Sequence, residues 1–452
     1  NSVLDSIVVK RAYGEYKSPI GTIRFGRQTS HWGLGMVENA GDGLDDDYGT
    51  TVDRLMFTAG LPQFDLYGSI MWDFGNEGAT NAAFLACDPS ALDVDEDGDG
   101  VSDARCVAAD GGQGAQQGQR YDLMQGDDLD QWGIRIYRQV NPDRARLALS
   151  RGEVVMNGGF YGVYRKQGFD SRASLGQSPR DVSPLIVRRG LETVTPNLWG
   201  QLLWSTLRVE LEAAMVWGGI ENTDIQGGNN YTNPGSDDPD DDGWDIRQFG
   251  FAIQTDWRTV EDRLRLGFGT GFATGDDDVE GINGFGGLDP ARSPLAGLDA
   301  QLTRDRTFST FRFHPDYRID LILWRNILQR VQAAYYFRPS VDYDFIRDPN
   351  GQRFGGGAAF VWSRAAEVVQ TPGNKEDLGF EIDGSLYYQA QGGTFSVDDE
   401  KMTGFFAKLQ YGVLFPLPGL GYLPGEKSRI GRPEDRNLDI PQTLRLYLGI
   451  LY

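Results

Sequence analysis

A chain of 452 residues with a formal charge of −22 repels phosphate, which excludes nucleic-acid binding as its main activity. Hydrophobic residues make up 40% of it and charged residues 24%, and no window approaches the ~18 consecutive apolar residues of a spanning helix. Strands are not excluded, because about ten alternating residues suffice to cross a bilayer.

Period-two alternation, punctuated by Gly, Pro, Asn and Ser, predicts strands from the N-terminus onward. The first four run over 5–17, 21–29, 50–60 and 63–75, with turns at Ser18-Pro-Ile-Gly21 and Gly60-Leu-Pro62 and a long connection at 30–49. A longer loop, 76–127, precedes strands at 128–140 and 145–167, which meet at Asn141-Pro-Asp143. Strands 190–204 and 207–221 meet at Ser205-Thr206; then come loop 222–245, strands 246–258 and 262–273, and loop 274–304. The remainder reads as 305–313, 317–326, 331–344, 357–369, 377–389, 402–414 and 442–452.

Several of these segments have one apolar and one polar face. Leu207, Val209, Leu211 and Ala213 alternate with Arg208, Glu210 and Glu212. Leu264, Leu266 and Phe268 alternate with Arg263, Arg265 and Gly267, and Phe405, Ala407, Leu409 and Tyr411 alternate with Phe406, Lys408 and Gln410. In the last segment Leu444, Leu446, Leu448, Ile450 and Tyr452 form an uninterrupted stripe. A soluble sheet with one wet face uses the same alternation. What separates the two is the loops, since short turns here alternate with connections of about 20 to 50 residues, as when one rim of a membrane barrel faces the periplasm and the other the outside.

The expectation is an all-β chain: a single transmembrane antiparallel β-barrel of 16–18 strands spanning 1–452, with short periplasmic turns and long extracellular loops. Its place is the cell outer membrane, among outer-membrane lipid and lipopolysaccharide, with the secretion signal already removed ahead of Asn1. The list holds seventeen segments, and a bacterial barrel closes on an even number. The surplus falls between 305 and 344, where two segments can be one bent strand. A cation facing mid-bilayer costs roughly 2–4 kcal/mol. The charged set Arg24, Arg135, Arg208, Glu210, Glu212, Arg263, Arg265, Glu381, Asp383, Lys408 and Arg445 is therefore expected to line the lumen.

Loop 76–127 carries the strongest local motif, Asp93-Val-Asp95-Glu-Asp97-Gly98-Asp99-Gly100-Val101-Ser-Asp103. Carboxylates at every second position, with a glycine for the sharp turn, suit a hard cation that takes about six to eight oxygen ligands. The twelfth position from Asp93 is Ala104 rather than Glu, so this is no helix–loop–helix site. It resembles the Asp-rich, cysteine-tethered repeats of thrombospondin type 3 modules. By that resemblance Asp93, Asp95, Asp97, Asp99 and Asp103 are the expected ligands of a structural Ca2+. Cys87 and Cys106 share the loop and suggest a disulfide formed in an oxidising compartment. The runs Asp42–Asp47, Asp237–Asp242 and Asp276–Asp278 read as solvated loops, with Asp240–Asp245 at best a secondary cation site.

Catalysis has little support. The two histidines, His31 and His314, are far apart, and no Gly-x-Ser-x-Gly, His-Glu-x-x-His or phosphate-binding glycine loop occurs. His314-Pro-Asp316 reads as a turn at a strand end rather than as a His–Asp couple.

Three stretches, His314-Pro-Asp-Tyr-Arg-Ile-Asp-Leu-Ile-Leu-Trp-Arg325, Thr371-Pro-Gly-Asn-Lys-Glu-Asp-Leu-Gly-Phe-Glu-Ile-Asp383 and Tyr411-Gly-Val-Leu-Phe-Pro-Leu-Pro-Gly-Leu420, join the closing strand in a broader resemblance. Over 305–452 the chain resembles large deltaproteobacterial outer-membrane barrels, distantly similar to alginate-export-type porins. The resemblance implies passage of a polar or polyanionic solute, yet the wall set mixes acids and bases, which favours a general porin-like channel or a plugged barrel. The alternative is a surface scaffold whose acidic loops engage other cell-envelope proteins in a motility or secretion machine. The Ca2+ expectation has a direct test: chelation should expose loop 76–126 to limited proteolysis, and cleavage there that ignores the chelator removes the ion site.

Overall fold

The computed structural model describes residues 9–75, 85–86, 107–108, 129–171, 186–221, 243–277, 307–348, 351–390, 404–421 and 438–451. The Asp93–Asp103 motif, Cys87 and Cys106 lie outside them. One antiparallel path carries β1 (Ala12–Ser18), β2 (Gly21–Thr29), β3 (Thr51–Leu61) and β4 (Leu66–Gly75). A two-stranded ladder, β5 (Leu85–Ala86) with β6 (Val107–Ala108), stands apart from it. The path resumes with β7 (Leu129–Arg138), β8 (Val154–Ser171), β9 (Ile186–Trp204), β10 (Leu207–Ile220), β11 (Trp244–Thr259) and β12 (Leu264–Ala273). The two-residue β13 (Thr307–Phe308) runs parallel beside β11. Next come β14 (Ala334–Arg347), β15 (Arg353–Ala365), β16 (Asp377–Gln389), β17 (Gly404–Pro416) and β18 (Gln442–Leu451). With β13 the sheet has 16 strands.

The alternation read from the sequence becomes two physical faces. On the outer face of β18, Leu444, Leu446, Leu448 and Ile450 are 63–76% exposed. The same face continues through Phe405 and Leu409 of β17, Ile382 and Leu386 of β16, and Ile70, Trp72 and Phe74 of β4, all exposed. A contiguous apolar exterior of this extent is stable only against lipid. The interior holds the buried polar groups, among them Arg54, Asp73, Glu210, Glu212 and Glu381. No helix among the described residues is long and apolar enough to cross a membrane, so the strands do the crossing. This is the two-faced wall of an outer-membrane β-sheet, and it places the chain there.

The rims are unequal. Short connections at 19–20, 62–65, 205–206, 260–263 and 348–352 close one end, together with 139–153 and 390–403. The segments 30–50, 76–128, 172–185, 221–243, 274–333, 366–376 and 417–441 leave the other.

Two expectations need correction. Asn141-Pro-Asp143 does not make a tight turn but starts α1 (Pro142–Ser150). Asn141 caps it, its side chain accepting from the Asp143 N–H at 3.0 Å, and Pro142 takes the first helical position, where its missing N–H costs nothing. The second correction is larger. Segments 305–313 and 317–326 are not wall strands: beyond Thr307–Phe308 the chain turns into the interior and stays there until β14. Phe311, Phe313, Tyr317, Ile319, Leu321, Ile322, Leu323 and Trp324 are all buried. The alternation of 317–324 reflects an extended chain, but with both sides buried it cannot be a wall strand.

If the β18 stripe faces acyl chains, Leu446→Arg at mid-strand should cost about 2–4 kcal/mol. Reversible unfolding from lipid bilayers measures this, and an unchanged stability would show that the face is not in lipid.

Candidate functional site

Inside the sheet two segments, 30–50 and 309–333, meet and narrow the bore. A chain threaded through a barrel lacks a neighbouring strand to pair its amides, and an unpaired buried N–H costs about 1–3 kcal/mol. The wall supplies acceptors instead. Glu212 on β10, fully buried, accepts the N–H groups of Leu34 at 2.8 Å and Met36 at 3.1 Å. Glu381 on β16 does the same for Leu321 at 2.9 Å and Leu323 at 3.0 Å. In both cases the amides are two residues apart, and the local turn brings both N–H groups onto one carboxylate, as in the backbone concavities that bind anions. Asn197 donates to the other oxygen of Glu212 at 2.7 Å.

Close approach dictates the local sequence. Gly33 and Gly35 adopt φ of 56° and 77°, in the left-handed region that favours glycine. A Cβ on Gly33 would stand 2.8 Å from the Glu212 carboxylate. The Trp32-Gly-Leu-Gly-Met36 sequence is thus shaped to lie against one glutamate.

The segments also hold each other. Asp316 accepts from the amides of Asp47 at 3.1 Å and Tyr48 at 2.8 Å and pairs with Arg318 at 3.2 Å. His314 donates its backbone N–H to the Met36 carbonyl at 2.7 Å, and its Nδ1 accepts from the Asp316 N–H at 3.1 Å. The His314–Asp316 pair is therefore engaged in docking. Burial, opposed by the nearby Asp316, holds the His314 imidazole below its ordinary value. Asp320 receives the amides of Trp324 and Arg325 at 3.0–3.2 Å, capping a π-helical turn over Leu323–Ile327.

Asp45 ties β18, the last strand of the sheet, to this centre. Its carboxylate pairs with Arg325 of the second segment and accepts from Arg445 at 3.3 Å and Tyr447 at 2.6 Å, both on β18. The acid run Asp42–Asp47 is thus not merely a solvated loop. On the other flank Glu38 receives Tyr161 at 2.6 Å and Arg135 at 3.0 Å and bonds Ser30. Burial disfavours its charge, yet Arg135 and Arg54 outweigh that and hold the carboxyl below its ordinary range. Arg54 pairs with Asp73, which also accepts from Gln131 at 2.6 Å.

The residues read from sequence fall as follows. Arg24 faces inward near the short-turn rim, paired with Glu15 at 2.7 Å. Arg208 bonds Glu210, which also accepts from Trp199 at 2.8 Å and Gln201 at 3.1 Å. Arg263 stands at the turn before β12, and Arg265 pairs with Asp256 at 2.8 Å. Arg265, Asp383 and Lys408 flank a polar cavity, and the buried Asp383 Oδ1 has no partner among the described residues. Sequence reading missed Glu38, Asp45, Arg54, Asp73, Asp316 and Asp320. Asp73 was detectable, because it alternates with Trp72 and Phe74 on β4; Arg54 follows Asp53 on β3, and the others lie in segments with no repeating pattern.

The cavity measures about 490 Å3. It exists because the inward positions of β12 and β15 are small: Gly267 lies opposite Ser340, Ser340 opposite Ala359, and Gly357 opposite Asp342. Arg338 and Asp342 project from β14 into the space this leaves, with Arg338 Nε donating to the Ile319 carbonyl at 2.7 Å.

No family model matches the chain, and no curated protein does. Among solved structures it is similar to Pseudomonas aeruginosa OccK11 (OpdR), with 11% identity over 96% of this chain and 78% of that one, at a TM-score of 0.43. It is similar also to Pseudomonas aeruginosa OccK8 (OprE), with 11% identity over 89% and 75% and a TM-score of 0.40. CdiB from Escherichia coli shows 9% identity over 92% and 62%, with a TM-score of 0.31.

Removing either clamp should free its segment. Glu381→Ala leaves the Leu321 and Leu323 amides unpaired, at about 1–3 kcal/mol each. Hydrogen exchange should then accelerate in 319–325 while β16 stays protected; unchanged protection there would show that the clamp does not hold the segment.

Proposed function

We propose that the chain is an outer-membrane channel for small polar or charged solutes, its bore narrowed by segments 30–50 and 309–333. One observation carries this reading: beside the second segment the interior holds a cavity of about 490 Å3 lined by charged and polar side chains rather than packed core. Its walls carry Asp256, Asp342 and Asp383 against Arg265, Arg338 and Lys408. Charge of both signs disfavours a dedicated polyanion conduit of the alginate-export type and suits weakly selective passage. No catalytic step is proposed, since His314 and Asp316 are committed to docking. Ca2+ at Asp93, Asp95, Asp97, Asp99 and Asp103, and a Cys87–Cys106 disulfide, remain part of the proposal for the loop outside the described residues.

A second reading, a plugged barrel acting as a surface scaffold, draws support from the apolar packing of the inward segments, with Phe313, Leu323 and Val331 at most 1% exposed. Planar-bilayer recording separates the two. The channel reading expects steady ohmic steps with weak ion selectivity, reduced by Ser340→Trp, which fills the cavity. Silence from correctly folded protein would leave the scaffold, and loss of partners from pull-downs after deletion of 76–126 would then support it.

A further inference from the structure

α1 is an interruption that the channel does not use. It lies on the short-turn rim and packs along the start of β8, leaving a groove of about 350 Å3 between them. The apolar side of the groove is Leu147 of the helix with Val154 and Met156 of β8, each more than half exposed. Val154 and Met156 face outward and begin the column that continues through Phe160 and Tyr164, so this surface is continuous with the lipid-facing band.

The polar side is cationic. Arg138 ends the outward column Trp132, Ile134 and Ile136 of β7, where the wall passes from apolar to charged. It is tethered by one bond from Nη1 to the Met156 carbonyl at 3.0 Å. Arg144 is held by Asp65 and by the Pro62 carbonyl at 3.2 Å. Arg151 is exposed and makes no ion pair among the described residues. Glu153 is the acid among the described residues that line the groove, and Asp65 stands behind Arg144. Three arginines against two acids, Glu153 and Asp65, leave an excess of positive charge in a chain of net charge −22, a local reversal of sign. They stand at the edge of the apolar band, where cationic side chains extend toward headgroups.

We infer that this groove holds one anionic glycerophospholipid of the periplasmic leaflet. The phosphate sits between Arg138 and Arg151, with Arg144 behind, and an acyl chain lies along Leu147, Val154 and Met156. Charge complementarity selects the headgroup, and continuity with the bilayer-facing wall supplies the chain. α1 has the matching amphipathic character, with its arginines toward the headgroup and Leu147 toward the acyl region.

Native mass spectrometry of the full chain in detergent, titrated with phosphatidylglycerol, tests the site. The expected result is one tightly retained lipid per chain. Arg151→Gln, which breaks no contact within the described residues, should weaken retention roughly fivefold, and the Arg138→Gln/Arg151→Gln pair roughly thirtyfold. Leu147→Asp should weaken it too, and millimolar inorganic phosphate should not displace the lipid. Equal retention by wild type and double variant would overturn the inference. So would displacement by free phosphate, or binding of phosphatidylcholine as tight as that of phosphatidylglycerol.

Discussion

A backbone threaded through the inside of a β-barrel has no adjacent strand to satisfy it, and this constraint organises the interior. A helix would satisfy its own amides; an extended segment cannot. Glu212 and Glu381 resolve the problem in the same way, each taking two amides spaced by two residues. A single carboxylate thereby replaces a short stretch of ladder. The cost is two buried carboxyl groups in the wall, offset by the hydrogen bonds they accept. Gly33 follows from the same geometry, since only a backbone without Cβ approaches the glutamate closely enough, while Gly35 makes room for Asn39.

With the segments fixed, the remaining interior polarity falls into place. Asp45 and Asp316 are acids in loops that become connectors once the segments fold inward, joining residues far apart in the chain: Asp45 with Tyr447, and Asp316 with Tyr48. These contacts join the last strand of the sheet and both inward segments at a common centre. Among the described residues a cavity remains where the wall residues are small, along Gly267, Gly357 and Ala359, and there charged side chains of β14 line it. Filling and opening are thus set by side-chain volume at a few inward positions.

Charge is distributed by depth. The excess acid of the chain lies in the loops of the long rim, the interior pairs opposite signs, and the arginines around α1 stand at the opposite rim. Such an arrangement lets an acidic protein present a cationic surface where an anionic leaflet begins.

Period-two alternation located most of the wall strands and their faces, because the requirement to face lipid on one side acts on each strand separately, and the lengths of the connections gave the inequality of the rims. Arg208, Glu210 and Glu212 could be assigned to the interior from their neighbours Leu207, Val209 and Leu211. The Asn-Pro pair before α1 carried a helix-start signal that a turn reading overlooked. The fate of 309–333 was different: its alternation is that of any extended chain, and whether such a chain joins the wall or enters the lumen depends on which acceptors await its amides. Those acceptors lie about 60 residues later for Leu321 and about 180 residues later for Leu34. Tertiary structure alone decided that pairing, because hydrogen-bond satisfaction inside a barrel is settled across the lumen and leaves no periodic trace along the chain.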